Sequence, residues 1–235
     1  MKDKHLISCI SDSHNLHQQL NKWLQLDIFK DVDTIIHAGD ISGLGREWEV
    51  RDFLKWFSKL NFQNKIFIAG NHDWLFEKEP FISKEILKEY PNIIYLQDQS
   101  IIIDGLKIYG SPWQPAFCNW AFNLSSREKL EACWNQIPSD TDILITHGPP
   151  LGILDLNKKM KQCGDIDLLN RIWQIKPIVH CFGHIHREFL DSKTFSNYET
   201  CFINSSSCNE AYNIVNKPIL IEVDLETKRP KIIDY

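Results

Sequence analysis

Several features are missing from this 235-residue chain, and each absence removes a class of protein. There is no run of about 18 apolar residues, so no membrane-spanning helix is expected. The first apolar run, Leu6 to Ile10, is five residues long and is followed by no cleavage signal, too little for a secretory leader. The seven cysteines (Cys9, Cys118, Cys133, Cys163, Cys181, Cys201 and Cys208) are odd in number and form no Cys-x-x-Cys pair. That argues against a disulfide framework or a structural zinc site, and for reduced, mostly buried thiols in a cytoplasmic protein. Positive charge is not in excess. Against 31 acidic residues stand 26 Lys and Arg, a formal net charge of −5, so tight sequence-independent binding of nucleic acid is not expected. No Gly/Ser-rich or Pro-rich linker, internal repeat or low-complexity tract divides the chain, which predicts a single domain over residues 1–235. The remainder is ordinary for a globular protein, 43% hydrophobic and 24% charged.

Short β-rich runs alternate with stretches of helical periodicity. Leu6–Ile10, Thr34–Ile36, Lys65–Ala69, Ile143–Ile145 and Ile178–Phe182 read as strands. Leu16, Leu20, Trp23 and Leu24 recur at helical spacing, as do Phe53, Leu54, Phe57 and Leu60 after Gly45. Further helices are predicted over Phe81–Tyr90, Arg127–Asn135 and Ile166–Ile175. Ile101–Tyr109 reads as two strands joined by an Asp104-Gly105 turn. Phe202–Ile203 and Ile219–Val223 read as the closing strands of a meander. This order predicts an α/β fold with sheets covered by helices.

Five polar blocks each stand at the end of a predicted strand: Asp12-Ser13-His14, Gly39-Asp40, Gly70-Asn71-His72-Asp73, Thr146-His147-Gly148 and Gly183-His184-Ile185-His186. In open α/β sheets, ligands collect where strand carboxyl ends and their loops converge. These blocks offer carboxylates, one carboxamide and five imidazoles, enough to hold two transition metals with one histidine to spare. A metal pair suits the clamping of a phosphate ester and the delivery of water to phosphorus. Two divalent cations on Asp12 and Asp40 would leave about +2 locally, attractive to phosphate even on an acidic protein. In extended backbone, Asp12 and His14 at i and i+2 share a face, and His184 and His186 repeat that spacing. Gly183 lets the chain turn tightly into the site. Asp40 can bridge two metals, although an Asp after Gly also caps helices. Asn71 can be a turn residue or offer its carbonyl oxygen to a metal while its amide meets phosphate. His72 is then free to act as general acid, with Asp73 either orienting it or simply lying at the surface. His37 and His17 are expected behind the ligands rather than among them. Trp113, Phe117, Trp120 and Phe122 form a wall beside the metals or, for any one ring more readily, part of the core.

The order D-x-H, G-D, G-N-H-D, H-G, G-H-x-H, spanning residues 12 to 186, resembles the calcineurin-like metallophosphoesterase superfamily. The resemblance implies an αββα sandwich of two mixed sheets flanked by helices, with a dinuclear centre at one edge. By carry-over, one metal takes Asp12, His14, Asp40 and His186, and the other takes Asp40, Asn71, His147 and His184. His72 stays unligated and catalytic. The nitrogen donors favour Mn, Fe, Zn, Co or Ni over Mg. Gly110-Ser111-Pro112-Trp113-Gln114-Pro115, Asn119–Asn123, Thr141–Pro150 and Phe202-Ile203-Asn204 are similar to the MPPED or 239-type branch, whose members are mainly phosphodiesterases with nucleotide-type substrates. Asn15 departs from the glycine that many relatives place after D-x-H. The implied reaction is in-line attack of a metal-bridging hydroxide on a small-molecule phosphate ester, with Asn71 and His72 contacting the substrate. A phosphomonoesterase or protein phosphatase is an alternative, but those relatives place a phosphate-gripping Arg in the second block. Here Ile41-Ser42-Gly43-Leu44-Gly45 follows Asp40, and Arg46 is wrongly spaced. A non-catalytic scaffold should have lost ligands, and none is missing.

Overall fold

A computed structural model describes residues 2–187 and 199–235. Its order is β1 (Lys4–Ile10), α1 (Asn21–Leu24), β2 (Thr34–Ala38), α2 (Glu47–Phe57), β3 (Asn64–Ile68), α3 (Trp74–Lys78), α4 (Pro80–Lys88), β4 (Ile94–Tyr95), β5 (Gln99–Ile103), β6 (Leu106–Ser111), β7 (Gln114–Pro115), β8 (Asn123–Leu124), α5 (Arg127–Trp134), β9 (Ile143–Thr146), α6 (Ile166–Ile175), β10 (Val179–Phe182), β11 (Cys201–Asn204), β12 (Ile219–Asp224) and β13 (Pro230–Ile233). Six strands pair in the order β13-β12-β1-β2-β3-β4, and five in the order β11-β10-β9-β6-β5.

Period-two alternation puts the two sheets face to face. Ile7, Cys9, Ile36, Ala38, Ile66 and Ile68 of the first sheet meet Ile108, Ile143, Ile145, Val179, Cys181 and Ile203 of the second in one buried cluster. The intervening residues face outward under helices. Ile10, Ile35 and Phe67 lie beneath Phe53, Leu54 and Phe57 of α2, while Leu144, Phe182 and Phe202 lie beneath Trp134 of α5 and Ile172 of α6. The central strands of each sheet are therefore covered on both faces, which explains why they read as continuous apolar runs, while the edge strands β5 and β13 stay partly exposed. At about 1.5–3 kcal/mol for each large side chain fully buried, these three clusters dominate the stabilisation. The result is the expected αββα sandwich.

Two expectations fail. The predicted first helix is a 3-10 turn, His17–Leu20, followed by the single turn of α1. The closing strands are not a meander either: β11 runs parallel to β10 in the second sheet, whereas β12 pairs antiparallel with β1 and β13 in the first. Asp104 and Gly105 do form the predicted hairpin turn, both with positive φ (49° and 81°). All seven cysteines are free, five of them buried. Among the described residues no helix is long and apolar enough to cross a membrane.

Because β1, β2 and β3 run parallel, their carboxyl ends lie along one edge, and β9 and β10 present theirs at the same place. Backbone hydrogen bonds stitch the emerging loops together: Asp12 N to Gly39 O (2.9 Å), His14 N to Asp40 O (3.1 Å) and Gly183 N to His147 O (3.0 Å). A parallel bridge between Ser11 and Ser206 joins the two sheets beside them.

Candidate metal centre

At this edge the five polar blocks converge. His186 Nε2 lies 3.2 Å from Asp12 Oδ1 and 3.4 Å from His14 Nε2. His14 Nε2 is 3.7 Å from Asp40 Oδ2, and His147 Nε2 is 3.3 Å from the same oxygen and 3.0 Å from Asn71 Oδ1. Three donor sets have atoms within 4.8 Å of one another: Asp12-His14-His186, Asp12-Asp40-His147 and His14-Asp40-His72. His184 is outside these triplets, but its ring lies 5.1 Å from that of His147. Asp12, His14 and Asp40 each belong to two of the sets, so the three sets share one cluster.

The backbone of these loops is unusual. Asp12, His14, Asn15, Asp40 and His184 all have φ between 40° and 67°, a region that non-glycine residues rarely occupy. Asp12 and His14 come together through a left-handed turn rather than by strand alternation. His184 and His186 do not share a face; His186 reaches Asp12, while His184 turns toward His147. Nor does Gly183 serve as a turn, since its φ is not positive; a Cβ there would lie 2.1 Å from Asp12 Oδ2 and from Ser11 Oγ. Close approach is what requires glycine. At Asn15 (φ 65°) the side chain suits the same left-handed turn, and Nδ2 donates to Glu49 Oε1 at 2.7 Å.

The electrostatics favour positive charge. Burial by itself would raise the Asp12 carboxyl, but the hydrogen bond and charge of His186, with that of His147, hold it below the usual carboxylate range. Asp40 is treated alike: burial is outweighed by the charges of His147 and His72. Burial pushes His147 down, yet Asp40 overcomes it and raises the imidazole to about 9. Burial wins at His14, lowered to about 4, and at His184, lowered to about 3. The acids thus recruit positive charge while two nearby imidazoles keep neutral lone pairs. His14 Nδ1 is buried without a hydrogen-bond partner. His147 Nδ1–H donates to Ala38 O at 2.9 Å, which fixes the tautomer and aims Nε2 at Asp40 and Asn71. A buried cluster of two carboxylates, neutral imidazoles and an amide oxygen fits divalent transition metals.

His72 stands at the cleft side of the cluster. Nδ1–H donates to Gly43 O at 2.6 Å, Nε2 is 4.0 Å from Asp40 Oδ2, and the ring stacks on Trp120 at 4.2 Å. Asp73 is not what orients it. The Asp73 carboxylate is wholly buried and accepts from Gly70 N (2.8 Å), Ile41 N (3.2 Å), Ser42 N (3.0 Å) and Ser42 Oγ (2.6 Å). It ties the Asp40 loop to the Asn71 loop. Asp40 caps no helix; its Oδ1 accepts from His72 N at 2.8 Å. His37 sits behind the ligands with Nε2 on Ser13 Oγ (2.9 Å), and His17 lies away beside Asp52.

The aromatic wall divides. Phe122 is buried and Trp113 packs on it, with Nε1 donating to Asp98, while Trp120 and Phe117 face His72 and His184. Tyr212 closes the opposite side, its ring 4.8 Å from His14 and 5.3 Å from His186. No pattern around Tyr212 distinguishes it in the sequence. The cleft above the cluster measures about 670 Å³ and is lined by Asp40, Asn71, His72, Phe117, His184 and Tyr212 among others.

The sequence profile described as Calcineurin-like phosphoesterase matches residues 5–188, most of the chain and every polar block. The chain belongs to the calcineurin-like phosphoesterase family. Human metallophosphoesterase domain-containing protein 1 is 40% identical over 94% of this chain and 71% of its own length. A Caenorhabditis elegans UPF0046 protein is 35% identical over 95% of this chain and 82% of its own. The first supports the metallophosphoesterase-domain branch within the family. Among solved structures, TT1561 of Thermus thermophilus shares the fold at TM-score 0.65, with 13% identity and 98% of each chain covered. As a calcineurin-like phosphoesterase the chain is a phosphoric ester hydrolase of a family that uses divalent metals.

Proposed function

We propose that this phosphoesterase is a cytoplasmic phosphodiesterase acting on a small, nucleotide-type ester, with His72 as the general acid. The observation that carries the reading is the meeting, in one ester-sized cleft, of the carboxylate–imidazole cluster with a carbonyl-anchored imidazole. Asp12, His14, Asp40 and His186 hold one divalent metal (Mn, Fe, Zn, Co or Ni). Asp40, Asn71, His147 and His184 hold a second. When bound, the metals supply Lewis acidity toward phosphate and activation of water.

The side chains do the rest. The Gly43 carbonyl takes His72 Nδ1–H, so the proton given to the departing alkoxide sits on Nε2. Trp120 restrains the ring's rotation from the other face. Asn71, with Oδ1 turned toward His147, leaves its amide for a phosphate oxygen. Where phosphatases place a guanidinium after this Asp, Ile41 and Ser42 are bound to Asp73, and the Leu44 and Arg46 amides to Glu49. Without a guanidinium at that position to grip a second phosphoryl charge, the metal side of the cleft suits a singly charged diester better than a dianionic monoester. A cleft of about 670 Å³ accommodates the organic part, with Phe117 and Tyr212 offering ring faces. Seven free cysteines support a reducing compartment.

The test is turnover by metal-reconstituted protein of 4-nitrophenyl phosphate, bis(4-nitrophenyl) phosphate and cyclic nucleotides. Diesters should be hydrolysed faster than the monoester; the reverse order overturns the reading. His72→Ala should lose about 10²–10⁴-fold on cyclic nucleotides, whose leaving group is an alkoxide, and far less on the nitrophenyl diester. Metal content should be unchanged. Equal losses on both leaving groups would remove His72 from the acid role.

A further inference from the structure

One wall of the cleft takes no part in holding metal or moving a proton. Residues 156–162 close into a tight hairpin, with an antiparallel bridge between Leu156 and Gln162 and Asn157 N bonded to Lys161 O at 3.0 Å. The Asn157 side chain shapes its tip: Oδ1 accepts from Lys159 N (2.9 Å) and Lys161 N (3.1 Å), and Nδ2 donates to Cys163 Sγ (3.2 Å). Asp155 pins the base by accepting from Gly152 N and Gly164 N. Arg187, the residue after His186, donates from Nη1 to Asn157 O at 3.3 Å, so the tip is tied to the loop that carries two histidines of the metal cluster.

This hairpin carries Lys158, Lys159 and Lys161, all exposed and all lining the same cleft as Asp40, Asn71 and His72, with Arg187 beside them. Four cations thus face one cleft in a chain whose net charge is −5. The acidic residues on the lining are Asp40, at the metal cluster, and Glu210. Lys158, Lys159 and Lys161 pair with no carboxylate among the described residues, whereas Lys107, for one, is held by Asp140. A lysine ammonium is a compact charge on a flexible stem, suited to a loosely held terminal phosphate rather than to a fixed bidentate clamp.

We infer that the 156–162 hairpin is a second anion subsite of the catalytic cleft. The substrate class is a nucleotide-type phosphodiester that carries, beyond the phosphoryl group hydrolysed, a further phosphate elsewhere in the molecule. This rests on the phosphodiesterase reading and narrows it. The second phosphate takes no part in bond breaking. Each exposed lysine contributes a few-fold, so three together give about tenfold, and salt erodes the gain.

The test uses the full, metal-reconstituted chain and a matched pair of esters, thymidine 5′-(4-nitrophenyl phosphate) and its 3′-phosphorylated counterpart. They share a leaving group and differ by one phosphate. In parallel, calorimetry compares binding of thymidine 5′-monophosphate with thymidine 3′,5′-bisphosphate. The extra phosphate should improve kcat/KM and Kd by about tenfold or more at low salt. In the triple variant Lys158→Gln, Lys159→Gln, Lys161→Gln the advantage should fall to about twofold or less, while the triple Lys→Arg variant retains it. A wild-type advantage below about twofold, or one that survives the glutamine variant, overturns the subsite. Turnover of both esters without preference sinks the subsite and leaves the phosphodiesterase standing. A lysine-dependent binding preference with no turnover of either ester does the opposite.

Discussion

Asp73 offers a direct test of whether this centre is built by side-chain chemistry or by loop architecture. If it oriented His72, Asp73→Asn would lower turnover and leave the fold and the metals alone. The structure predicts another outcome, because the carboxylate accepts two hydrogen bonds on each oxygen, from Gly70 N and Ile41 N on Oδ2 and from Ser42 N and Oγ on Oδ1. An amide would turn one oxygen into a donor facing two donors. Two bonds to a charged acceptor, ~1.5–3 kcal/mol each, would be lost, and the remaining two weakened to neutral strength. Part of this is returned. Burial, and then the charge of Asp40, raise the Asp73 carboxyl to about 6 even with these bonds in place, so the amide avoids part of the cost of holding a charge there. The net loss is roughly 1–5 kcal/mol, or about 3–15 °C in Tm for a chain of this size. Since the freed loops carry Asp40 on one side and Asn71 on the other, metal affinity should fall with stability. Scanning calorimetry and elemental analysis on the same sample decide the matter. A variant with native Tm, full metal content and reduced turnover would refute the argument and return Asp73 to the proton-transfer chemistry.

Two further outcomes follow from groups the site depends on. Gly183→Ala places a methyl 2.1 Å from Asp12 Oδ2 and Ser11 Oγ, and overpacking of this kind costs ~1–3 kcal/mol. The variant should fold but bind metal weakly; wild-type metal content with full activity would show that Asp12 can move aside freely. His180, buried with Nε2–H on Thr146 Oγ1 at 2.8 Å, is held down to about 3 by burial, whereas the unfolded chain takes its proton near 6.5. Its contribution is therefore complete above pH 6.5 and lost as pH falls toward 3, by roughly 2 kcal/mol at pH 5, so His180→Phe should flatten the decline of Tm between pH 7 and pH 5. An unchanged slope would mean that His180 is already protonated in the folded state.

Much of the fold was legible because it is locally encoded. The central strands are short apolar runs, and α2, α4, α5 and α6 carry clear helical stripes; α6 spans the predicted Ile166–Ile175. What was not legible is partnership. β11 and β12 have similar local patterns, Cys201–Asn204 and Ile219–Asp224, yet one extends the second sheet and the other the first. Nothing in an alternation of buried residues says which edge is open to receive a strand. The two-residue strands β4, β7 and β8 exist only through their tertiary hydrogen bonds and leave no periodicity to detect.

At the candidate site the division runs along the same line. Polar residues that break an apolar run are conspicuous, which is why all seven candidate ligands and His72 could be named from order and spacing. Their orientation is set by groups that any residue could supply, the carbonyls of Ala38 and Gly43 and the amides that hold Asp73. A backbone carbonyl carries no letter in the sequence, so the anchoring of His72 cannot be read there, and of the two roles the sequence leaves open for Asp73, orienting His72 or lying at the surface, the structure shows neither. The left-handed turns at Asp12, His14, Asp40 and His184 have the same character. They are unfavourable for each residue alone, and they persist because Asp12 N binds Gly39 O, His14 N binds Asp40 O, and His184 N binds both Asp12 oxygens. Each ligand loop is thus held in its strained form by another. A change that frees one loop should loosen its neighbours, and metal affinity in this centre should behave as a property of the loop network rather than as a sum of independent ligands.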